Sequence, residues 1–470
     1  MTKRLPVTPA PAPLEEYAVR FDHLFRARAQ REGFRGYLEG LLLPAERNKT
    51  LTALANTEPV VGAQRKEAQS LQWFLSESRW DAKEVNERRL ELLFEAASTA
   101  PHGEGVLIID EHGDRKWGKR TAHVGKQWLG NLGKTDNGVV SVSSLWAEEG
   151  VYYPLEVEPY TPKHHFEGGT SDPRFRTKLK IAQQLVERSV AMGVPFRAVV
   201  ADSFYGEDED FKHTLSSLGV GYVLALKESH SWWHKEGTIG ALWEAALAAG
   251  WKNAQEPGQW KRVVRTFRDG HRETWWVLEV KAGPYSPQKA RRAVVVSVDP
   301  ERLPRLGTWY LTTDLPAPGS ERAKESELAP ASVAEVVRLF GLRMWVEQSY
   351  KQVKHALGFS DYQVRSDTAI RRHWQLVFCA FSFCWWACEA EGLELSAPPG
   401  IVLQEDDAQA VGASSIGTEV RGEKERVFSP AVMAASTEAG KGMVGALPNA
   451  HAILEGVHRQ GPARRVESTT

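Results

Sequence analysis

Two short, largely apolar runs, far apart in the chain, each end in an aspartate. Residues 106–109 are followed by Asp110, and residues 196–201 are followed by Asp202. Runs of this length and composition are typical of buried strands. Each run therefore predicts a strand inside a sheet, with an acidic side chain at its end.

The segments around these two runs predict a definite order of strands and helices. Residues 138–146 and 152–157 resemble two successive antiparallel strands, 175–192 and 208–218 resemble helices, and 222–226 resembles a strand. The resulting β-β-β-α-β-α-β order is that of the ribonuclease-H-like fold. We therefore predict an α/β fold with a ribonuclease-H-like mixed sheet, built from residues 101–227 and 331–394.

Residues 228–330 interrupt this order and predict a β-rich insertion. Their strand-like segments are 261–267, 273–280, 293–298 and 308–312. Residues 268–270, Arg-Asp-Gly, are typical of a hairpin turn between the first two of these strands.

The chain before the sheet predicts a helical domain over residues 16–100, because apolar residues recur there at spacings of three and four. Basic residues are interspersed with them: Arg26, Arg28, Arg31, Arg35, Arg47, Lys49, Arg65 and Lys66. The pattern alone fits a DNA-binding domain with a basic surface and a dimerisation domain about equally, and we take the former as the prediction. Residues 1–15 are expected to be disordered because they are rich in Pro and Ala, and most of 395–470 because it lacks sustained periodicity.

Residues 340–354 predict a helix that presents one carboxylate among cations. At about 100° per residue, Phe340, Arg343, Glu347, Lys351 and Lys354 fall within about 80° of one another. The apolar residues on the opposite side are Leu342, Trp345, Val346 and Val353. Such a helix buries its apolar back, and its charged face suits a divalent metal and a polyanion such as a polynucleotide.

Asp110, Asp202 and Glu347 are the candidate catalytic and metal-binding residues. In the predicted fold they converge at one edge of the sheet, which is a rigid support for metal ligands. Oxygen ligands suit Mg²⁺ or Mn²⁺ rather than zinc, and two such ions about 3.5–4 Å apart assist phosphodiester cleavage. Each acid alone is better explained as a helix cap or a turn residue, but the three together, with this strand order and the cationic helix, favour a site.

These residues resemble the DDE transposases of bacterial insertion sequences, in the branch with a YREK signature. That signature is Tyr, two residues, Arg, three residues, Glu, six residues, Lys; Arg343, Glu347 and Lys354 match it, and Phe340 stands at the Tyr position. The other segments that carry the resemblance are 107–111, 116–119, 130–136, 201–206 and 79–81. The resemblance covers roughly residues 20 to 390.

The resemblance implies a transposase that cuts DNA at the ends of its element and joins the freed 3′-hydroxyl to target DNA. It implies that the three acids hold the metal ions, two Mg²⁺ or Mn²⁺, and that Arg343, Lys351 and Lys354 contact DNA. The implied partners are double-stranded DNA, as terminal inverted repeats and target, and a second copy of the chain that pairs the two ends. The implied location is the cytoplasm of a bacterium, in association with the nucleoid.

Three other interpretations remain open. The chain could be a ribonuclease-H-like nuclease that is not mobile, or a DNA-binding protein derived from a transposase and no longer catalytic. The many tryptophans and paired acids would also fit a carbohydrate-active enzyme, although the Arg-Glu-Lys helix disfavours it.

Loss of the Tyr hydroxyl at Phe340 removes one hydrogen bond to phosphate, on the order of 1 kcal/mol, and leaves metal chemistry intact.

Two further groups are candidate DNA contacts. The loop from 115 to 134 is basic, so Lys116 and Lys119 could bind phosphate, and a solvated loop is about equally plausible. Arg365, Arg371 and Arg372 could extend this basic track. Trp232, Trp233, Trp275 and Trp276 lie in the insertion, where the resemblance implies contact with the transposon end. Trp275 or Trp276 could stack there on an unpaired base, but packing in the core of a sheet is favoured.

Overall composition says less about function than these segments do. Lys plus Arg is 59 against 60 for Asp plus Glu, so net charge argues neither for nor against nucleic acid. Cys379, Cys384 and Cys388 share one apolar stretch, which predicts buried, reduced thiols rather than disulfides or a zinc site. The apolar segment 376–388 is too short for a membrane span, and no signal peptide is visible, so a soluble intracellular protein is expected.

Overall fold

The computed structural model describes residues 6–44, 47–233, 239–266, 272–280, 282 and 291–390. The predicted turn at 268–270 and the predicted disordered tail at 395–470 lie outside these residues. The first helix begins at Ala12, inside the segment expected to be disordered, because Leu14 and Tyr17 are buried against the core.

The N-terminal part is helical, as predicted. Its helices are α1 (Ala12–Ala18), α2 (Arg28–Leu42), α3 (Leu51–Leu54), α4 (Lys66–Ser76) and α5 (Ala82–Glu95), with 3₁₀ turns at Val19–Leu24 and Val61–Gln64. Asp81 begins α5 by accepting a hydrogen bond from the backbone N–H of Lys83. The ring of Trp80 stacks on that of Phe74 and closes the turn between α4 and α5.

The basic surface expected on these helices is smaller than the sequence suggested. Arg31, Arg35 and Lys49 are buried. Arg31 donates to the carbonyl of Phe25, and Lys49 donates to the last carbonyls of α2. A one-dimensional pattern cannot separate such internal cations from surface ones, because both interrupt an apolar repeat in the same way.

The central sheet has the ribonuclease-H-like order. Its strands are β1 (Val106–Arg115), β2 (Gly125–Leu129), β3 (Lys134–Ala147), β4 (Tyr152–Tyr160), β5 (Ala198–Ala201) and β6 (Tyr222–Ala225), with helices α6 (Lys178–Ala191), α7 (Ser203–Gly206) and α8 (Glu209–Ser217). Strand β3 pairs antiparallel with β1, β2 and β4, whereas β1, β5 and β6 pair in parallel. The predicted α/β class is confirmed.

The predicted β-rich insertion contains β7 (Ser231–Trp233), β8 (Ile239–Ala241), α9 (Leu242–Leu247), β9 (Lys261–Thr266), β10 (Arg272–Val280), β11 (Arg292–Ser297) and β12 (Thr308–Thr313). Strand β12 pairs antiparallel with β6, and the order continues through β11 and β10 to β9. The last four strands therefore extend the central sheet to ten strands rather than forming a sheet of their own.

The chain after β12 forms α10 (Glu321–Glu325), α11 (Val333–Gly341), α12 (Met344–His355) and α13 (Asp367–Ala390). The helix predicted over 340–354 is thus divided between α11 and α12. Phe340 belongs to α11, where it is buried with its ring centroid 5.2 Å from that of Trp309. The prediction that Phe340 lies on the charged face is wrong, because its side chain is buried in the core against Trp309.

The long helix α13 joins the N-terminal helices to the sheet. Its three cysteines are free and buried, as predicted. One continuous apolar core includes side chains of α2, α5, β1, β5 and α13. Within the described residues, no helix combines the length and apolarity needed to cross a bilayer.

Candidate active site

Asp110 and Asp202 are brought to the same edge by the pairing of two parallel strands. Ile109 of β1 lies opposite Ala201 of β5, and the next residue in each strand is an aspartate. Asp202 also begins α7, where its side chain accepts a hydrogen bond of 2.9 Å from the backbone N–H of Phe204. Both carboxylates are half-buried.

Strand β1 continues five residues past Asp110, because its pairing with β3 extends to Arg115. Since side chains alternate along a strand, Asp110, His112 and Asp114 lie on one face. Glu111 points to the other face and forms a 2.6 Å ion pair with Lys178 of α6. The sequence pattern missed this polar extension because it ended the strand at the last apolar residue.

Helix α12 brings a cation and a carboxylate to the Asp110 face. The Nη2 atom of Arg343 donates to Oδ1 of Asp110 at 3.1 Å, and its Nη1 lies 4.0 Å from Oε1 of Glu347. The apolar back of the helix is buried as predicted, through Trp345 and Val346. Glu347 is on the solvent side, with 78% of its side chain exposed.

The charges at this edge are only partly compensated. Burial, together with the charge of Asp202, outweighs the opposing effect of Arg343 and raises the pKa of Asp110 to about 6. Burial acts to lower the pKa of Arg343, but the charges of Asp110, Asp202 and Glu347 outweigh it and raise this pKa. The Nε of Arg343 is buried and has no hydrogen-bond partner among the described residues.

Two lysines border the same face. Burial lowers the pKa of Lys354 to about 8, opposed by the charges of Asp114 and Asp110. Lys116 forms a 2.7 Å ion pair with Asp114 and donates to the carbonyl of Ser360, so it is held by the protein itself. Lys119 is exposed.

The other predicted DNA contacts have different surroundings. The backbone of Lys351 lies in α12, and its side chain is outside the described residues. Trp275 and Trp276 are buried, where they pack on Trp309 and Trp251. This burial favours core packing over base stacking for both.

Two of the three arginines predicted to extend the basic track, Arg371 and Arg372, make contacts within the protein. Arg371 pairs with Asp367 and Glu158, and Arg372 donates to backbone carbonyls of Leu75 and Trp80. Arg365 remains exposed. Of these three arginines, Arg365 is therefore the one that can still extend the predicted DNA-binding surface.

Three residues at the site were absent from the sequence-based set. His112 is buried beside Lys354 and Lys116, and burial together with their charges keeps its pKa well below the usual range. Phe204 and Met344 are exposed next to Asp202 and Arg343. The alternation of β1 could have indicated His112, whereas exposed apolar residues give no signal in a periodic pattern.

The chemistry of the donor set fits Mg²⁺ or Mn²⁺, because it consists of carboxylate oxygens whose negative charge is under-compensated. Asp110 and Asp202 are the best-placed pair to hold such an ion. Among the residues that the structure describes, no three His, Cys, Asp or Glu side chains are grouped closely enough to bind one ion together. Glu347 is linked to the pair through Arg343.

Comparison with known proteins gives two family matches and one similar protein. A sequence model of DDE superfamily endonucleases matches residues 20–277, and one of the transposase DDE domain matches residues 172–383. The chain is 32% identical, over 365 residues, to the probable transposase for insertion sequence element IS701 of Microchaete diplosiphon. That alignment covers 77% of this chain and 85% of the similar protein.

Proposed function

The chain belongs to the DDE superfamily of transposases, and on this premise we propose that it catalyses cut-and-paste DNA transposition. It would cleave DNA strands at the ends of its element and join the freed 3′-hydroxyl groups to target DNA. The observation that carries the proposal is the pairing of β1 with β5, which places Asp110 and Asp202 at one edge beneath Arg343.

Asp110, Asp202 and Glu347 are the proposed metal ligands. Divalent ions bound by such oxygens neutralise charge on the attacking and leaving oxygens of a phosphodiester. The raised pKa of Asp110 supports the assignment, because a carboxylate that is costly to ionise gains most from a nearby cation. The assignment requires that Glu347 come closer to the two aspartates than it lies in this structure.

Arg343 and Lys354 are the proposed phosphate contacts beside the cut, with Lys351 on the same helix. A guanidinium carries five N–H donors, and Arg343 uses one of those on Nη2 for Asp110, so it can donate to a phosphate oxygen and keep that contact. The double-stranded partners would be the terminal inverted repeats and the target. A homodimer would pair the two ends, in the cytoplasm of the bacterial host.

A cleavage assay on DNA that flanks the coding region, with Mg²⁺ or Mn²⁺, tests the proposal. Asp110→Asn, Asp202→Asn and Glu347→Gln should each lower strand cleavage by more than about a hundredfold, beyond what loss of an outer-shell group produces. Glu321→Gln is the matched control, since Glu321 is an exposed acid far along the chain from the site. Cleavage by Glu347→Gln at the control rate would refute the assignment.

A second readout does not depend on turnover. Mn²⁺ that binds the folded protein raises its melting temperature, and this increase should disappear in Asp110→Asn and persist in Glu321→Gln. Cleavage without joining of 3′-ends would favour a nuclease that is not mobile. DNA binding without cleavage would favour a non-catalytic derivative, and glycoside hydrolysis without added metal would favour the carbohydrate-active alternative.

A further inference from the structure

Trp117 is the most exposed tryptophan of the chain, with 85% of its surface accessible. It belongs to residues 117–121, the Trp117 loop, which is separated from the last residue of β1 by Lys116 alone. Most of the other tryptophans are buried or half-buried, so the Trp117 indole is the one most available to contact a ligand.

The Trp117 loop is anchored at both ends. Before it, Lys116 is fixed by its ion pair with Asp114, and Asn137 donates from Nδ2 to the carbonyls of Lys116 and Gly118. After it, the backbone N–H of Ala122 donates to the carbonyl of Arg365 at 2.8 Å. The indole is therefore presented on a short, supported segment, which reduces the entropy lost when it binds.

One face of the indole is already covered. The guanidinium carbon of Arg115 lies 4.1 Å from the centroid of the Trp117 ring, and Arg115 is itself held by Asp136 at 3.1 Å. The opposite ring face is left open. A side chain with a single free face cannot sit between two base pairs, but it can stack on the outer face of a terminal base pair.

The surroundings carry positive charge. The loop itself contains Lys119 and Arg120, and Lys126 projects from β2 on the same face as Trp128, which is 55% exposed. No described carboxylate lies within ion-pairing distance of Lys119, Arg120 or Lys126. These cations suit the phosphates of a duplex, whereas Asp136 and Asp114 are already neutralised by their own partners.

The loop is also connected to the acidic site. Asp114, which holds Lys116, interacts electrostatically with Lys354 of α12. Lys116 donates to the carbonyls of Ser360 and Tyr362, in the segment that follows α12. These contacts connect the Trp117 loop to α12 and to the segment that follows it.

We propose that Trp117 stacks, through its open face, on the terminal base pair of a DNA end whose phosphates contact Lys119 and Arg120. The proposal rests on the proposed function for the presence of DNA, and adds a recognition element for a cut end. It assigns the exposed loop rather than the buried Trp275 and Trp276 to aromatic contact with DNA.

The test compares two DNA probes without added metal, by fluorescence anisotropy. One probe is a blunt linear duplex from the DNA beside the coding region, and the other is the same duplex closed by hairpin loops, which cover its terminal base pairs. Trp117→Ala should weaken binding to the blunt duplex between about fivefold and about a hundredfold and leave binding to the closed duplex unchanged. Trp117→Phe should retain most of the affinity.

Trp243→Ala is the matched control, because Trp243 is an exposed tryptophan on α9, outside the predicted DNA-binding helices. The salt dependence of binding should be the same for Trp117→Ala and the control, since no charge is removed. Equal binding of the blunt duplex by the two variants would overturn the inference, as would an equal loss on both probes. Failure of the wild-type protein to bind either probe would instead reject the proposed function.

Discussion

Arg35 and Arg343 each contact acidic side chains, yet the pKa values of the neighbouring carboxyls shift in opposite directions. Arg35 is 3% exposed and donates to Glu15 at 2.7 Å and to Asp22 at 2.8 Å. Burial acts to raise the pKa of Glu15, but the hydrogen bonds from Arg35 and Ala10 lower it overall. Near Arg343, the pKa of Asp110 is raised instead.

The Arg35 cluster (Arg35, Glu15 and Asp22) and the Arg343 cluster (Arg343, Asp110 and Asp202) differ in how completely their charges are paired. Arg35 divides its N–H groups between two acids, so every charge near it has an opposite charge in contact. Among the described residues, Arg343 makes one hydrogen bond to a carboxylate, of 3.1 Å to Asp110, and lies 4.0 Å from Glu347, while the charge of Asp202 repels that of Asp110. A self-satisfied cluster stabilises the fold, whereas an under-compensated one retains affinity for ligands.

The largest expected effect on stability comes from breaking the Arg35 cluster. Arg35→Ala would leave Glu15 and Asp22 without their cation at the edge of the core and should lower the free energy of unfolding by about 3 kcal/mol. Urea denaturation measures it. Arg28→Ala, which removes an exposed pair with Glu32, should change stability by less than about 0.5 kcal/mol. Equal effects of the two variants would break the comparison.

Asp110→Asn should have the opposite effect and raise the free energy of unfolding. The folded-state pKa of Asp110 is about 6, above its ordinary value of 3.8, so the wild type loses stability as pH rises from about 4 to about 6. The variant should therefore be more stable than the wild type at pH near 8, by on the order of 1 kcal/mol, and equal to it near pH 4. Thermal melting at the two pH values tests this, and a less stable variant at the higher pH would contradict it.

Asp367 gives the smallest effect and a third point of comparison. Hydrogen bonds from His123 and Arg371 overcome burial and lower its pKa to about 2, so its contribution to stability is lost as pH falls from about 4 to about 2. Its side chain is 47% exposed, so screening limits the contribution to less than about 1 kcal/mol. Asp367→Asn should reduce the fall in the free energy of unfolding as pH drops from about 4 to about 2. An unchanged pH dependence would show that His123 and Arg371 do not stabilise the fold through Asp367.

Much of the site could be predicted because it depends on local signals. The two buried strands, the aspartates that follow them and the Arg343–Glu347–Lys354 spacing all lie within short segments. The position of Phe340 could not be predicted, because a break of two residues between α11 and α12 is invisible to a helical repeat.

The burial of Arg31 and Arg35 was equally hidden from the pattern. A basic residue in an apolar repeat is expected at the surface, but partners distant in the chain or on another turn can satisfy it inside. The pairing of β12 with β6 is a further case, because a strand pattern contains its own alternation and no information about its neighbour.

The sequence by itself determined the order of strands and helices, the candidate acids and the resemblance to DDE transposases, since these are properties of short segments and their spacing. Only the tertiary structure decided which charges compensate one another, that the insertion extends the central sheet, and that Trp117 rather than Trp275 is left exposed. The physical reason is that burial and electrostatic compensation depend on contacts between residues far apart in the chain, such as Arg343 with Asp110.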